Sequence, residues 1–230
     1  MPKNYTVTLP HYSVGPSCYD ELGQVTRFYG RTAAVVGGET ALAKAGPALK
    51  AGFEKAGVKL TEWSVYGKDS TNANVEKIVN NPKVQEADLL FGVGGGRAID
   101  TVKTAADILG KPFFSVPTVS SNCAPVSAIA VIYKDDGALD HYHFPKRCPE
   151  HCFIDTTVIL GDALSKQAES QLASRGAELT HTPLLGVQVG LVCEDPLLEY
   201  GKQAIEDFRA KRDSHAFTET VLDIIVSTGI

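Results

Sequence analysis

Short runs of apolar residues alternate with longer segments of helical periodicity through the first half of the chain. A strand inside a parallel sheet is covered by helices on both faces, so its residues are apolar on both sides and a helix leads to the next strand. The alternation therefore predicts an α/β fold built on a parallel sheet. The predicted strands are 5–9, 32–36, 58–65, 88–93 and 113–116, and the predicted helices are 20–29, 39–56, 71–80 and 98–109.

The pattern changes after residue 127, where two apolar segments flank Asp135-Asp136-Gly137, a combination typical of a β-hairpin. Beyond residue 160 only helical patterns remain, and Ser214 is suited to cap one of these helices. We therefore predict an α/β domain at 1–160 and an all-helical domain at 161–230. The later predicted elements are strands at 128–133, 139–144 and 152–155 and helices at 164–172, 184–193, 196–211 and 214–226.

The composition limits the kinds of partner that the protein binds. The 230 residues carry a formal net charge of −5, which gives no reason to expect nucleic acid or an anionic membrane as a partner. No apolar run approaches the ~18–20 residues of a membrane span. The five cysteines are scattered and odd in number, which favours reduced thiols. We predict a cytoplasmic protein with no nucleic-acid partner and no membrane partner.

A glycine-rich loop, Gly92-Val93-Gly94-Gly95-Gly96-Arg97, follows an apolar strand and opens a helix. Small residues let the backbone approach a ligand, and the free amides of a helix N-terminus favour a pyrophosphate. Arg97 can add a charge-assisted contact to the same group. Glycine content alone favours a ligand-free strand-to-helix turn just as strongly.

Two further features lie close to this loop. Asp100 and Lys103 share one side of the helix after the loop, either near the predicted phosphate site or as a solvent-facing ion pair. The segment from Val116 to Pro125, which includes Thr118 and Ser121, follows a strand at its carboxyl end. Ligands of open α/β sheets bind at that edge, although these polar residues also suit a plain turn.

The segment from Gly94 to Lys103 resembles the GGG-K/R-x-x-D-x-x-K signature of glycerol dehydrogenases and related iron- or zinc-dependent alcohol dehydrogenases, which share a dehydroquinate synthase-like fold. The segment from Gly161 to Lys166 resembles the family segment whose aspartate is the first metal ligand. Other matching residues, in order and at the family's spacing, are Val116-Pro117-Thr118, Ser121, Ser127, Ile129 and Tyr133.

The resemblance implies an oxidoreductase that interconverts a small secondary alcohol and its carbonyl, with NAD or NADP in a cleft between the two domains. Asp162 would hold zinc or iron together with two histidines, as a catalytic and metal-binding residue, and the metal would act as a Lewis acid while hydride passes to the nicotinamide. The implied cofactor contacts are Gly94, Gly95, Gly96, Arg97, Asp100, Thr118, Ser121, Ser127, Ile129 and Tyr133.

The chain departs from the family pattern in three places. Cys123, a candidate catalytic residue, stands where glycerol dehydrogenases have an aspartate that touches the polyol, so a 2-hydroxy acid and its 2-oxo acid are as well supported as a glycerol-like polyol. About a dozen residues that the family has between Ile159 and Gly161 are reduced to one. The two metal-binding histidines of the family fall beyond Ile230, so we expect a helical metal and substrate domain that is incomplete here, or a natural short relative.

Several alternatives stay open. A catalytically inactive nucleotide-binding relative is the main one, and an activity like that of dehydroquinate synthase or glycerol-1-phosphate dehydrogenase is another. Glu39 weakly favours NAD over NADP by repelling a 2′-phosphate, and a homo-oligomer is expected. A zinc-stabilised binding module is less favoured because its candidate ligands match no regular zinc spacing. Those ligands are His141, His143, Cys148, His151 and Cys152.

Overall fold

The computed structural model describes residues 11–120, 122–158, 160–161 and 194–225. Six parallel strands form the central sheet. The predicted strand at 5–9, the predicted helices at 164–172 and 184–193, Ser121 and Asp162 lie outside the described residues. From one edge of the sheet to the other, the strands are β1 (Tyr12–Val14), β9 (His151–Ile154), β5 (Phe113–Pro117), β4 (Leu89–Gly94), β2 (Thr32–Gly37) and β3 (Lys59–Val65).

Helices connect these strands, and two small two-stranded sheets lie beside them. The helices are α1 (Leu22–Thr26), which follows a 3₁₀ turn at Cys18–Glu21, α2 (Glu39–Ala56), α3 (Asn72–Val79), α4 (Pro82–Glu86), α5 (Gly96–Leu109), α6 (Glu194–Arg209) and α7 (His215–Ile225). The small sheets pair β6 (Val119–Ser120) in parallel with β10 (Leu160–Gly161), and β7 (Ala130–Tyr133) antiparallel with β8 (Leu139–His143).

The position of strand β4 inside the sheet explains why its sequence is a continuous apolar run. All six of its residues are buried, since side chains that alternate in direction enter two separate cores. Phe91 packs between Phe53 and Phe114 in the core under α1 and α2, with ring centroids 4.8 Å apart in both contacts. Leu90 enters the opposite core, formed with α3 and α5. Helices on both faces confirm the predicted α/β fold with a parallel sheet.

Most predicted elements of the first 155 residues are present, and the hairpin β7–β8 is confirmed, with Gly137 at φ +84° in its turn. The helix predicted for 20–29 already ends at Thr26. Three features were not predicted from the sequence: the short edge strand β1, the short helix α4 and the β6–β10 pair. Strand β9 also returns to the sheet between β1 and β5.

The helices α6 and α7 pack on the sheet through α7. Its buried residues Phe217, Val221 and Ile224 form a cluster with Ile154 of β9. Ser214 Oγ accepts a hydrogen bond from the Phe217 amide at 3.1 Å, so the predicted helix cap is confirmed. None of the helices in the described part of the chain is long and apolar enough to cross a membrane.

Candidate functional site

A cleft of about 1140 Å³ lies between the carboxyl ends of β2 and β4 and the turn that joins α6 to α7. It is large enough for a dinucleotide. Its α/β wall is lined by Gly38, Glu39, Thr40, Ala41, Lys44, Tyr66, Gly67, Gly94, Gly95, Gly96, Arg97, Ala98, Thr118, Val119, Thr156, Thr157 and Val158. Its helical wall is lined by Phe208, Arg209, Lys211, Arg212, Asp213 and Phe217.

The glycine loop forms the floor of this cleft. Gly94 ends β4 at φ +146°, Gly95 is the N-cap of α5, and Gly96 is its first residue. No side chain of the described residues caps this helix, so its first N–H groups remain available to an anion. A Cβ on Gly96 would lie 2.6 Å from Asn122 Nδ2, so an alanine at this position would displace the Asn122 side chain. The loop therefore fits the diphosphate of a dinucleotide.

A second helix begins beside the first. Gly38 is the N-cap of α2, again with no side-chain cap among the described residues, and its amide donates to the Val93 carbonyl at 3.0 Å. A Cβ on Gly37 would lie 2.3 Å from that same carbonyl oxygen. The two helix starts are therefore packed against each other. Glu39, in the first turn of α2, places a carboxylate on the rim of the cleft.

Asp100 and Lys103 form a buried ion pair, so the solvent-facing interpretation is wrong. Lys103 Nζ lies 3.1 Å from Asp100 Oδ1, and the two side chains are 2% and 9% exposed. Nζ also donates to the Ile129 carbonyl at 2.5 Å, and Asp100 Oδ2 accepts from the Val131 amide at 3.1 Å. Burial raises the pKa of Asp100 and lowers that of Lys103, while each charge opposes the shift of the other. The pair attaches β7 to α5.

The predicted cofactor residues fall into two groups. Gly94, Gly95, Gly96, Arg97 and Thr118 line the cleft. The others that the structure describes lie on α5, in the segment before the hairpin or on the hairpin, and do not line the cleft: Asp100, Ser127, Ile129 and Tyr133. Whether they contact a cofactor stays a prediction.

Arg97 and Ser127, two of the predicted cofactor residues, differ in their contacts with the described residues. Arg97 Nη1 lies 2.8 Å from Asp69 Oδ2, and its guanidinium carbon lies 5.0 Å from the centre of the Tyr133 ring. Ser127 is buried, and its hydroxyl has no hydrogen-bond partner among the described residues. Arg97 therefore lines the cleft while its guanidinium is already paired with the Asp69 carboxylate.

Cys123 lies outside the cleft lining, in the loop after β6. It is half-buried and packs against the apolar cluster of α7 and β9, and its carbonyl accepts from the Val126 and Ser127 amides at 3.0 Å. The described cysteines Cys18, Cys123, Cys148 and Cys152 are free thiols, as expected for reduced cysteines.

The described residues contain no group of three or more histidine, cysteine or acidic side chains that could hold a metal. The zinc-module interpretation of the hairpin is therefore not supported. His141 instead pairs with Asp140, and His143 with Asp107, each at 2.9 Å. Asp162, the predicted metal ligand, lies outside the described residues.

The sequence interpretation missed the helical wall of the cleft. Residues 208–213 reach the site because α7 docks on β9, and no motif spacing marks such a tertiary contact. Lys44 and Thr156 were missed as well. Lys44 lies in the second turn of α2 and Thr156 follows the end of β9, so neither belongs to a recognisable loop motif.

Residues 10–156 match the family model described as iron-containing alcohol dehydrogenase. The chain is 27% identical over 209 residues to a glycerol dehydrogenase of Escherichia coli O6:H1, covering 84% of this chain and 57% of that protein. It is 31% identical over 157 residues to hydroxycarboxylate dehydrogenase A of Escherichia coli K12, covering 63% of this chain and 43% of that protein. The chain thus spans about half the length of these curated relatives.

Among solved structures, the glycerol dehydrogenase of Schizosaccharomyces pombe superposes with a TM-score of 0.82 at 24% sequence identity. The superposition covers 99% of this chain and 62% of that one. The likeness shows that the two proteins share a fold.

Proposed function

The chain belongs to the iron-containing alcohol dehydrogenase family, and we propose that it acts as an oxidoreductase that interconverts a small secondary alcohol and its carbonyl with NAD or NADP. The observation that carries the proposal is the uncapped N-terminus of α5 on the floor of a dinucleotide-sized cleft. Residues 1–160 would form the dinucleotide-binding domain, and 161–230 would contribute to the metal and substrate domain.

The described residues would bind and orient the cofactor. Amides at Gly95 and Gly96 would donate to the diphosphate, assisted by the partial positive charge of the helix N-terminus. Thr118 lies on the same floor and would contact the cofactor beyond the diphosphate. The nicotinamide, when bound, accepts or donates the hydride. Glu39 on the cleft rim supports NAD over NADP, because a carboxylate repels a 2′-phosphate.

Two substrate classes are supported, a glycerol-like polyol and a 2-hydroxy acid. The relatives include proteins named for each. A cysteine at position 123 makes the hydroxy acid as well supported as the polyol, because a neutral thiol neither binds a diol as a carboxylate does nor repels an anionic substrate. Packing of Cys123 against the apolar cluster of α7 agrees with an uncharged side chain at this position.

The family also implies a metal, zinc or iron. Because no set of three ligands occurs among the residues that the structure describes, these residues are assigned cofactor binding and orientation only. Asp162 stays the proposed ligand on the strength of the sequence motif. A homo-oligomer and a cytoplasmic location also remain proposals.

The proposal is tested by titrating the protein with NADH and NADPH and then measuring turnover with glycerol and with 2-hydroxy acids, with zinc or iron added. Saturable NADH binding with turnover of one substrate class is expected. Binding without turnover at either metal would favour the inactive nucleotide-binding relative. Absence of binding to both cofactors would refute the proposal.

A further inference from the structure

The turn between α6 and α7 presents a set of cations to the cleft, opposite the glycine loop. Arg209, Lys211 and Arg212 all line the cleft, and all three are exposed. Neither Arg209 nor Lys211 has a carboxylate partner among the residues that the structure describes. Cations that form no ion pair on a cleft wall attract an anionic ligand.

The turn is held in a defined conformation. Arg212 donates to Asp207 Oδ1 from Nε at 3.0 Å and from Nη2 at 2.6 Å. Lys211 has φ +53° and is the only non-glycine residue with a left-handed backbone in the described ranges. That conformation is unfavourable for a residue with a Cβ, and such strain persists where the surrounding structure imposes it. The turn therefore holds the backbone of Lys211, a residue of the cleft lining, in one conformation.

The charge of the cleft is opposite to that of the chain. Five cationic side chains line it, Lys44 and Arg97 on one wall and the three of the turn on the other, and the lining carboxylates are Glu39 and Asp213. Arg97 and Arg212 are paired with Asp69 and Asp207, so the cations still outnumber the carboxylates. The whole chain carries −5. An aromatic pair, Phe208 and Phe217, stacks with ring centroids 6.1 Å apart at the base of the turn. Cations above an apolar base suit a phosphate group attached to a nucleoside.

We infer that the α6–α7 turn is a second diphosphate-binding wall, so that the pyrophosphate of a dinucleotide is held between the glycine loop and Arg209 and Lys211. The inference rests on the proposed function and deepens it. The glycine loop donates backbone amides from one side, and the turn adds charge-assisted contacts from the other. Because these contacts come from the helical part of the chain, the cofactor would also join the two walls of the cleft.

The test compares NADH dissociation constants, measured by fluorescence titration at several salt concentrations. The double variant Arg209→Gln/Lys211→Asn removes both charges, and asparagine tolerates the left-handed conformation at position 211. The matched control is Lys77→Gln/Lys202→Gln, which removes two exposed charges from α3 and α6 outside the cleft. Lys211→Gly is a further variant that relieves the strain and so keeps the turn folded.

The double variant is expected to weaken NADH binding roughly tenfold and to reduce its salt dependence, because ionic contacts are lost. The control is expected to bind as the unchanged protein does, and Lys211→Gly to bind more weakly than it. Equal NADH affinity in the double variant and the control would overturn the inference and leave the proposed function standing. Failure of the unchanged protein to bind NADH or NADPH would overturn both.

Discussion

Replacing Lys103 by methionine should destabilise the protein strongly, because the buried Asp100 carboxylate would lose its counter-charge. Asp100 would keep only the Val131 amide as a partner. Removing one member of a buried ion pair costs about 3–5 kcal/mol. At ~2–4 °C per kcal/mol for a chain of this size, the unfolding midpoint should fall by roughly 6–20 °C. The exposed Lys77→Met on α3 serves as the control and should stay within about 0.5 kcal/mol of the unchanged protein.

The loss of stability in Lys103→Met should become larger as the pH rises. Burial raises the pKa of Asp100, and the charge of Lys103 partly counters that rise, so Lys103→Met moves the folded-state pKa further above the unfolded value. A carboxyl group whose pKa is raised in the folded state destabilises the fold as pH climbs from the unfolded pKa to the folded one. The free energy of unfolding of the variant should therefore decline from pH 4 toward pH 7 more steeply than that of the unchanged protein.

A double-mutant cycle, measured by urea unfolding, separates the energy of the ion pair from the energy of side-chain packing. Asp100→Asn keeps an acceptor for the Val131 amide but leaves the Lys103 charge unpaired, whereas the double variant Asp100→Asn/Lys103→Met buries no charge. The double variant should be more stable than the sum of the single effects by at least about 2 kcal/mol. Additive effects, within about 0.5 kcal/mol, would refute the view that the two charges depend on each other.

Three further predictions concern other sites. Gly96→Ala should raise the NADH dissociation constant about tenfold in a fluorescence titration, because its Cβ would displace Asn122, whereas Gly201→Ala, in open space on α6, should leave NADH binding unchanged. Ser214→Ala should lower the free energy of unfolding by about 1 kcal/mol in urea through loss of the α7 cap, and an unchanged value would contradict that role. Burial raises the pKa of Asp223 to about 6, so wild-type stability relative to Asp223→Asn should decrease by about 2 kcal/mol between pH 4 and pH 7, and a pH-independent difference would disprove the shift.

The elements predicted from the sequence are those whose residue pattern depends only on neighbouring positions in the chain. Strand β4 and helix α5 were placed within two residues because a buried strand is apolar throughout and the helix repeats its apolar side every three to four residues. The glycine loop was placed between them for the same reason. The position of a loop at the carboxyl end of a parallel strand then follows from a general property of open α/β sheets.

The missed features depend on contacts between distant parts of the chain. Strand β1 has only three residues, and its place beside β9 depends on a partner about 140 residues away. Asp100 and Lys103 have the same spacing whether they face solvent or the interior. Their burial depends on Ile129 and Val131 at the start of the hairpin, 26 and 31 positions further along, and helical periodicity carries no information about such a neighbour.

The same distinction explains why only one wall of the cleft could be predicted. The α/β wall consists of strand ends and helix starts, which have sequence signatures, while residues 208–213 reach the cleft only because Phe217 and Val221 pack against Ile154. The net charge of −5 would argue against binding a polyanion. Charges beyond about 8 Å are largely screened at physiological ionic strength, so a dinucleotide bound in the cleft would respond to the lysines and arginines of its walls. The local charge of the site thus depends on the packing of α7 against the sheet, and it cannot be deduced from the total composition.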